Sequence, residues 1–157
     1  MFDPKLELAY KAAEAQLKGQ NDTLASFRNR ATTLFTLAAL VTSFSTSIGL
    51  INTAGGEKLP TWTPWVLLGF LTAVGFASMK VLWPIQAWHY CISATQILDL
   101  HRLGVGEDQT LKEVVDDGVR RTQENEQELG KRAWWFRVGV TLFFVEISVL
   151  VIAVGTH

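Results

Sequence analysis

The sequence predicts an all-α integral membrane protein with three transmembrane helices, and three observations support that fold class. Residues 31–56, 59–79 and 138–155 carry no charged side chain apart from Glu146. At about 1.5 Å per helical residue, each stretch is close to or above the length that crosses a hydrocarbon core of roughly 30 Å. None shows the alternation of a membrane β-strand, and tryptophans cluster near their ends, as at membrane interfaces.

We expect one membrane-helical domain that covers residues 1–157. The three spans are placed at about 31–53, 62–83 and 134–155. The domain then consists of a long cytoplasmic helix (1–30), a transmembrane hairpin (31–83), cytoplasmic helices (84–133) and the third transmembrane segment (134–157).

Basic residues set the expected orientation. Five lie before the first span and six between the second and third, whereas the loop between the first and second has only Lys58. Cytoplasmic segments of membrane proteins carry the excess of lysine and arginine. We therefore expect a multi-pass protein of the inner (plasma) membrane, with its N-terminus in the cytoplasm and its C-terminus outside.

The N-terminal helix carries a stripe of apolar residues at steps of three and four, which we call the seam. Asp3 and Pro4 are typical of a helix start. The seam comprises Leu6, Tyr10, Ala13, Leu17, Gln20, Leu24 and Phe27. It predicts a single helix of nearly fifty residues that continues into the first span. The seam is compatible with packing inside the chain or with a coiled coil between subunits.

The first span has a face rich in hydroxyl and small side chains. Thr36, Thr42, Ser43 and Thr46 lie on or beside that face. Such residues let helices approach closely in lipid, and they could equally line a water-filled path. We keep both interpretations and treat these four residues as candidate pore or intramembrane polar groups.

Five residues are predicted to anchor the second and third spans at the inner membrane surface. The two cations among them could extend their charged ends toward the headgroups, and the indoles suit the interface. They are Lys80, Trp83, Trp134, Trp135 and Arg137. After Pro84 interrupts the second span, residues 85–103 again have a helical pattern, which ends at Gly104.

The sequence offers little for catalysis or cofactors. It has no Gly-rich phosphate loop, HExxH motif or nucleophile elbow. His89, Cys91, Asp99 and His101 lie close in sequence, but their spacing does not converge as a zinc site requires. A net charge of −1 and the lack of a basic stripe argue against nucleic acid. We expect no enzyme, no cofactor and no metal.

Glu146 is the candidate functional residue. It lies near the middle of the third span, where insertion scales assign an ionised carboxylate a cost of at least about 2.5 kcal/mol. It could be structural and bond Thr42 or Ser43 at similar depth on the first span. It could also form a ring of carboxylates in an oligomeric pore, or act as a proton-sensitive latch between spans.

Two segments resemble small bacterial membrane effectors of anti-phage defence. These segments are NDTLASFRNRATTLFTLAA, at the entry to the first span, and NEQELGKRAWWFRVGV, at the entry to the third. Together with the order of helices, they resemble the Pycsar transmembrane effectors and the SLATT families. The Pycsar-type proteins favour an Asp-x-Lys-Ala entry, where this chain has Arg28-Asn29-Arg30-Ala31. The resemblance implies a cytoplasmic nucleotide-type signal that opens an oligomer and damages the membrane.

The expected function is therefore that of a homo-oligomeric inner-membrane effector or channel gated from the cytoplasm. Its expected partners are the lipid bilayer, further copies of itself and a cytoplasmic nucleotide signal. The alternative is a non-conducting membrane scaffold or partner-binding subunit, in which Glu146 pairs with a partner's helix.

Overall fold

A computed structural model describes residues 4–55, 62–85, 88–90 and 94–155. These residues form four helices, and within those ranges no strand occurs. The helices are α1 (Pro4–Gly55), α2 (Thr63–Leu82), α3 (Ala94–Arg102) and α4 (Glu107–Gly155). The predicted all-α class is confirmed.

The two long helices each join a predicted cytoplasmic helix to a predicted span. α1 runs for 52 residues without a break, and α4 runs for 49. Among the described residues of the predicted helical segment 85–103, α3 is helical, whereas residues 88–90 are not. Gly104 follows α3 with φ +70°, a left-handed conformation that glycine adopts without steric cost.

Two helices are long and apolar enough to span a membrane, by length and composition alone. They are α2, which matches the second predicted span, and the part of α4 that contains the third. The first predicted span, 31–53, is helical throughout as part of α1. Several of its side chains lie outside the described residues, and its membrane crossing stays a prediction.

The chain divides into two compact units. Unit 1 comprises Met1–Ser26 and Pro84–Lys131, and unit 2 comprises Phe27–Trp83 and Arg132–His157. These boundaries fall within four residues of the predicted division between cytoplasmic and transmembrane segments. The predicted transmembrane hairpin and third span thus pack together as unit 2.

Unit 1 buries the seam of α1 within the chain. Leu17 is 1% exposed and packs with Val114 of α4, and Tyr10 and Leu100 flank this pair. Gln20 donates from Nε2 to the Thr122 carbonyl oxygen at 3.0 Å. The seam therefore serves intrachain packing, the first of the two interpretations. Its buried side chains are not available for a coiled coil between subunits in this conformation.

Unit 2 is a three-helix packing unit built around small residues. Leu34, Ala38 and Val74 form its buried core, with aromatic and aliphatic side chains of α4 against them. Gly139 permits a close approach of all three helices, because a Cβ there would lie 3.1 Å from Leu34 Cδ2 and 3.4 Å from Ala77 Cβ. One face of α4 thereby faces both α1 and α2.

Candidate functional site

Glu146 lies in the interior of unit 2. Its side chain is 0% exposed, and it shares a face of α4 with Gly139 and Ala153, both of which are buried. The close approach at Gly139 shows that this face is the one packed against the other two helices. The same packing that forms the bundle therefore encloses the carboxyl group.

The two oxygens of the Glu146 carboxyl have different surroundings. Thr42 donates its hydroxyl to Oε1 at 2.8 Å, which joins α4 to α1. Oε2 is buried and has no hydrogen-bond partner among the described residues. An unpaired buried polar atom typically costs about 1–3 kcal/mol. The carboxyl therefore has one unused bonding position inside the unit.

The structure separates the four hydroxyl residues predicted on the first span. Thr42 is bonded to Glu146, whereas Ser43, the other predicted partner, is exposed and donates to the Ala39 carbonyl oxygen at 2.8 Å. Thr36 is also exposed, and the Thr46 side chain lies outside the described residues. The buried hydroxyl that sequence reasoning missed is Ser45, which follows Ala31, Leu34 and Ala38 along the apolar face of α1.

The burial of Glu146 bears on its interpretation as part of a carboxylate ring, which stays a prediction. A side chain with no exposed surface within one copy cannot line a path between copies in this conformation. The helix face that would have to open is held by Thr42 and by the packing at Gly139. The interpretation that fits this geometry is a contact between spans.

A row of hydroxyl side chains lies on the opposite, exposed side of α1. Each donates to the carbonyl oxygen four residues earlier in the same helix, so its hydroxyl proton is satisfied without a partner from another helix. We call this set the hydroxyl row: Thr32, Thr36, Ser43 and Ser47.

The predicted interface anchors are mostly exposed. Lys80, Trp83, Trp134 and Arg137 are exposed, and Trp135 is half-buried. The Trp135 ring meets Trp134 edge-on, with 4.8 Å between the ring centroids. The anchors of α4 thus present a connected aromatic surface beside exposed cations.

Arg132, which the sequence places among the basic residues at the entry to the third span, has a structural role within unit 2. It is 6% exposed, and its guanidinium donates to the carbonyl oxygens of Val81 and Trp83. The last carbonyls of a helix have no partner within the helix, and a cation at that end also complements the helix dipole. Arg132 therefore caps the C-terminus of α2.

Unit 1 holds residues 88–90 between two asparagine side chains. Asn125 of α4 donates to the His89 carbonyl oxygen at 2.9 Å and accepts from the His89 amide at 3.2 Å. Asn21 of α1 accepts from Trp88 Nε1 at 2.6 Å and donates to the Tyr90 carbonyl oxygen at 3.1 Å. The two amides thus bond three backbone groups of this segment and the Trp88 indole.

The His89 ring joins the same polar network. Its Nε2 lies 3.0 Å from Glu124 Oε2, and its Nδ1 lies 3.3 Å from Arg121. Arg121 in turn pairs with the largely buried Asp117 at 2.5 Å. The sequence alone does not predict this network, because it presents His89 beside aromatic residues and in a group whose spacing does not suit a metal. The sequence feature that could have indicated the network is an Asn or Asp residue at a position on the buried face of a helix.

A cleft of about 370 Å³ lies within unit 1, beside the apolar core that contains Val114 and Tyr10. Its walls are mainly apolar, and the hydroxyl groups of Tyr10 and Thr110 and the Glu107 carboxylate supply polar atoms. Pockets of this size and composition are typical of small-molecule sites. The remaining lining residues are Ile97, Leu98, Val105, Leu111 and Val114.

Within the described residues, no group of three or more His, Cys, Asp or Glu side chains is arranged to hold a metal ion. The side chains of Cys91 and His101 lie outside them. Comparison with protein-family models, with curated proteins and with solved structures gives no match to this chain.

Proposed function

We propose that the protein is a three-span membrane protein that self-associates into a homo-oligomeric effector or channel of the inner membrane, controlled from the cytoplasm. In this proposal unit 2 lies in the bilayer, with the N-terminus inside and the C-terminus outside, and unit 1 lies in the cytoplasm. The observation that carries the proposal is the hydroxyl row on the exposed side of α1.

The hydroxyl row favours contact between copies. In a single copy surrounded by lipid, these side chains would face hydrocarbon, whereas small and hydroxyl residues are enriched where transmembrane helices meet. The opposite face of α1 is already occupied by the core of unit 2. Three helices are too few to enclose a water-filled path, so a conducting form requires several copies arranged around this row.

Control from the cytoplasm is supported by the two long helices. α1 and α4 each contribute residues to both units without a break in the helix. The cleft in unit 1 offers a place for a small cytoplasmic signal. A nucleotide-type signal, and membrane damage in anti-phage defence, are supported by the family resemblance alone.

Cross-linking between copies tests the carrying observation. The single cysteine, Cys91, is first replaced by Ser, and cysteine is then introduced at Ser43 in the hydroxyl row. A Ser45→Cys variant is the matched control, because Ser45 is on the same helix but 3% exposed. We expect copies to cross-link through position 43 in bilayers and not through position 45. Equal cross-linking at both positions, or none at either, would exclude self-association through this row.

Flux from liposomes tests whether the oligomer conducts. We expect purified protein to release ions or a small dye, and we expect Glu146→Gln to change the rate because it alters the contact with Thr42. If both proteins leave the vesicles tight, the measurement is repeated with cyclic nucleotides added. Vesicles that stay tight with a cross-linked oligomer present would exclude a channel of this kind.

Exposed apolar side chains in unit 1 favour the second candidate, a non-conducting scaffold or partner-binding subunit. Leu98 and Leu103 are 57% and 77% exposed. A protein partner could cover them. Co-purification of a stoichiometric partner that is lost on Leu98→Gln and Leu103→Gln substitution, together with silent flux, would support this candidate over the channel.

A further inference from the structure

Unit 2 carries more basic than acidic residues, whereas unit 1 carries more acidic than basic residues. Unit 2 contains six basic and two acidic residues, and unit 1 contains eight basic and thirteen acidic residues. One of the two acidic residues of unit 2, Glu146, is fully buried, and the other, Glu57, lies outside the described residues. The cations of unit 2 thus have few carboxylates within their own unit.

Three cations of unit 2, Arg30, Lys80 and Arg137, are exposed and form no ion pair with another described residue. Two of them, Lys80 on α2 and Arg137 on α4, lie close in sequence to aromatic residues. Lys131, by contrast, pairs with Glu128 at 2.5 Å. Lys80 and Arg137 are therefore available to an external anion.

Aromatic rings form a continuous surface beside Lys80. Its Nζ lies 5.3 Å from the centroid of the Phe76 ring, within the distance of a cation–π contact. Phe76 meets Trp135 edge-on with 5.8 Å between centroids, and Trp135 meets Trp134 in the same way. Arg137 follows Trp134 by three residues, about one helical turn, so both lie on neighbouring positions of α4.

We infer that the surface formed by Lys80, Phe76, Trp135, Trp134 and Arg137 binds the headgroups of anionic phospholipids. The cations match a phosphate that carries net negative charge. Phe76 and Trp134 are each more than half exposed, and they offer an apolar shelf for the glycerol and upper acyl chain. The inference rests on the proposed placement of unit 2 in the bilayer and deepens it by naming the lipid class.

The position of the site explains why it would matter. Lys80 is on the last turn of α2, and the tryptophans are at the start of the predicted third span. Headgroups bound at Lys80 on α2 and at Arg137 on α4 would hold the two helices at the same depth. Each basic residue near an anionic membrane surface contributes roughly 1 kcal/mol, which corresponds to a preference of about five-fold per cation.

Tryptophan quenching by brominated lipids measures this preference. The protein carries Trp62→Phe and Trp65→Phe, so that emission comes from the remaining tryptophans. It is reconstituted in phosphatidylcholine vesicles with increasing fractions of brominated phosphatidylglycerol or, separately, brominated phosphatidylcholine. We expect several-fold stronger quenching by the anionic lipid at equal fractions, and a preference that weakens with added salt.

Charge-neutral variants assign the preference to the site. Lys80→Gln with Arg137→Gln should bring the ratio close to one, and Lys80→Arg should retain it. Lys131→Gln is the matched control, because it removes an equal charge close by in sequence from a residue already paired with Glu128. We expect it to leave the ratio unchanged.

The results distinguish a failure of the lipid site from a failure of the proposed function. If the protein inserts and its copies cross-link through position 43, but both lipids quench equally, the lipid site is excluded and the proposed function stands. Loss of the preference in Lys131→Gln to the same extent as in the double variant also excludes the site. Failure to insert into vesicles overturns both proposals.

Discussion

The two units of this protein bury polar groups in different ways. In unit 1, the amide of Asn125 is 0% exposed and uses both its donor and its acceptor on the backbone of His89. In unit 2, Glu146 is equally buried, yet one carboxyl oxygen has no partner among the described residues. Thr63 Oγ1 and Ser78 Oγ of unit 2 are also buried without a hydrogen bond to a described residue, and in unit 1 the same holds for Gln20 Oε1.

This difference indicates what stabilises each unit. Unit 1 is held by specific polar contacts added to a small apolar core, because its backbone between α2 and α3 needs partners that only side chains supply. Unit 2 is stabilised by the close approach of small residues, and its buried polar atoms without partners reduce its stability. If selection for stability alone shaped unit 2, Glu146 would be a poor choice of residue at that position.

The largest effect is expected from breaking the polar contacts of unit 1. Asn125→Leu removes the partners of two backbone groups of His89, and each loss costs about 1–3 kcal/mol when the group stays buried. We expect the free energy of unfolding to fall by about 2–4 kcal/mol, measured by denaturant titration in detergent. Gln123→Leu is the control, since Gln123 is exposed on the same helix. Comparable losses in both variants would contradict this account.

The next effect is expected in the packing of unit 2. Gly139→Leu places a large side chain where even a Cβ would be 3.1 Å from Leu34 and 3.4 Å from Ala77. Overpacking of this kind costs typically 1–3 kcal/mol, and we expect a lower thermal midpoint in detergent. Gly69→Leu is matched in chemistry and has nothing within 4 Å of its added Cβ. An equal decrease in the thermal midpoint for Gly69→Leu would contradict this account, because the size of the new side chain would then determine the effect and its position would not.

A smaller effect on stability is expected for Glu146→Leu in unit 2. Replacing a buried, incompletely paired ionisable group by an apolar one is often neutral or stabilising. Thr42 can redirect its hydroxyl to its own helix, as Thr36 does. We expect the thermal midpoint of Glu146→Leu to equal or exceed that of the wild type, while liposome flux changes. A clear loss of stability would instead make Glu146 a structural residue.

The smallest effect is expected at an exposed ion pair in unit 1. The Lys11 ammonium lies 2.6 Å from Glu7 and, through its hydrogen bond and charge, lowers the pKa of that carboxyl below its usual value. A carboxyl with a lowered folded-state pKa contributes stability above its usual pKa and loses it as the pH falls through the lowered value. Because both side chains are fully exposed, we expect Lys11→Gln to cause no measurable change in unfolding at pH 7 or pH 3. A measurable change in the free energy of unfolding at pH 7 would contradict this expectation and show that the ion pair contributes to stability.

The helical fold could be predicted because it depends on composition over long stretches. The uncharged blocks predicted α2 and the apolar half of α4 to within a few residues, and the seam predicted the long α1. The non-helical residues 88–90 could not be predicted, because what releases them from a helix is Asn21 and Asn125. These asparagines are respectively 67 and 36 residues away in sequence.

The candidate site could be predicted only in part. Glu146 was evident because a charge within an apolar block is costly, and Thr42 followed from its depth. Whether Thr42 or Ser43 contacts Glu146 depends on how α1 is rotated about its own axis, by the angle of one residue. The spacing of hydroxyl residues in the sequence does not determine that rotation, because α1 carries hydroxyl side chains on two faces. The unpaired Oε2 depends on atomic packing, which leaves no trace in sequence.

The cap on α2 also bears on the order of events during synthesis. Arg132 lies 51 residues after Val81, whose carbonyl oxygen it binds. At about 5–20 residues per second on the ribosome, α2 exists for several seconds before its capping residue has been made. The end of α2 must meanwhile be satisfied by water or by the insertion machinery. The hairpin can therefore reach its final form only after the start of the third segment has emerged, and a pause between codons 83 and 132 would prolong the period in which it is incomplete.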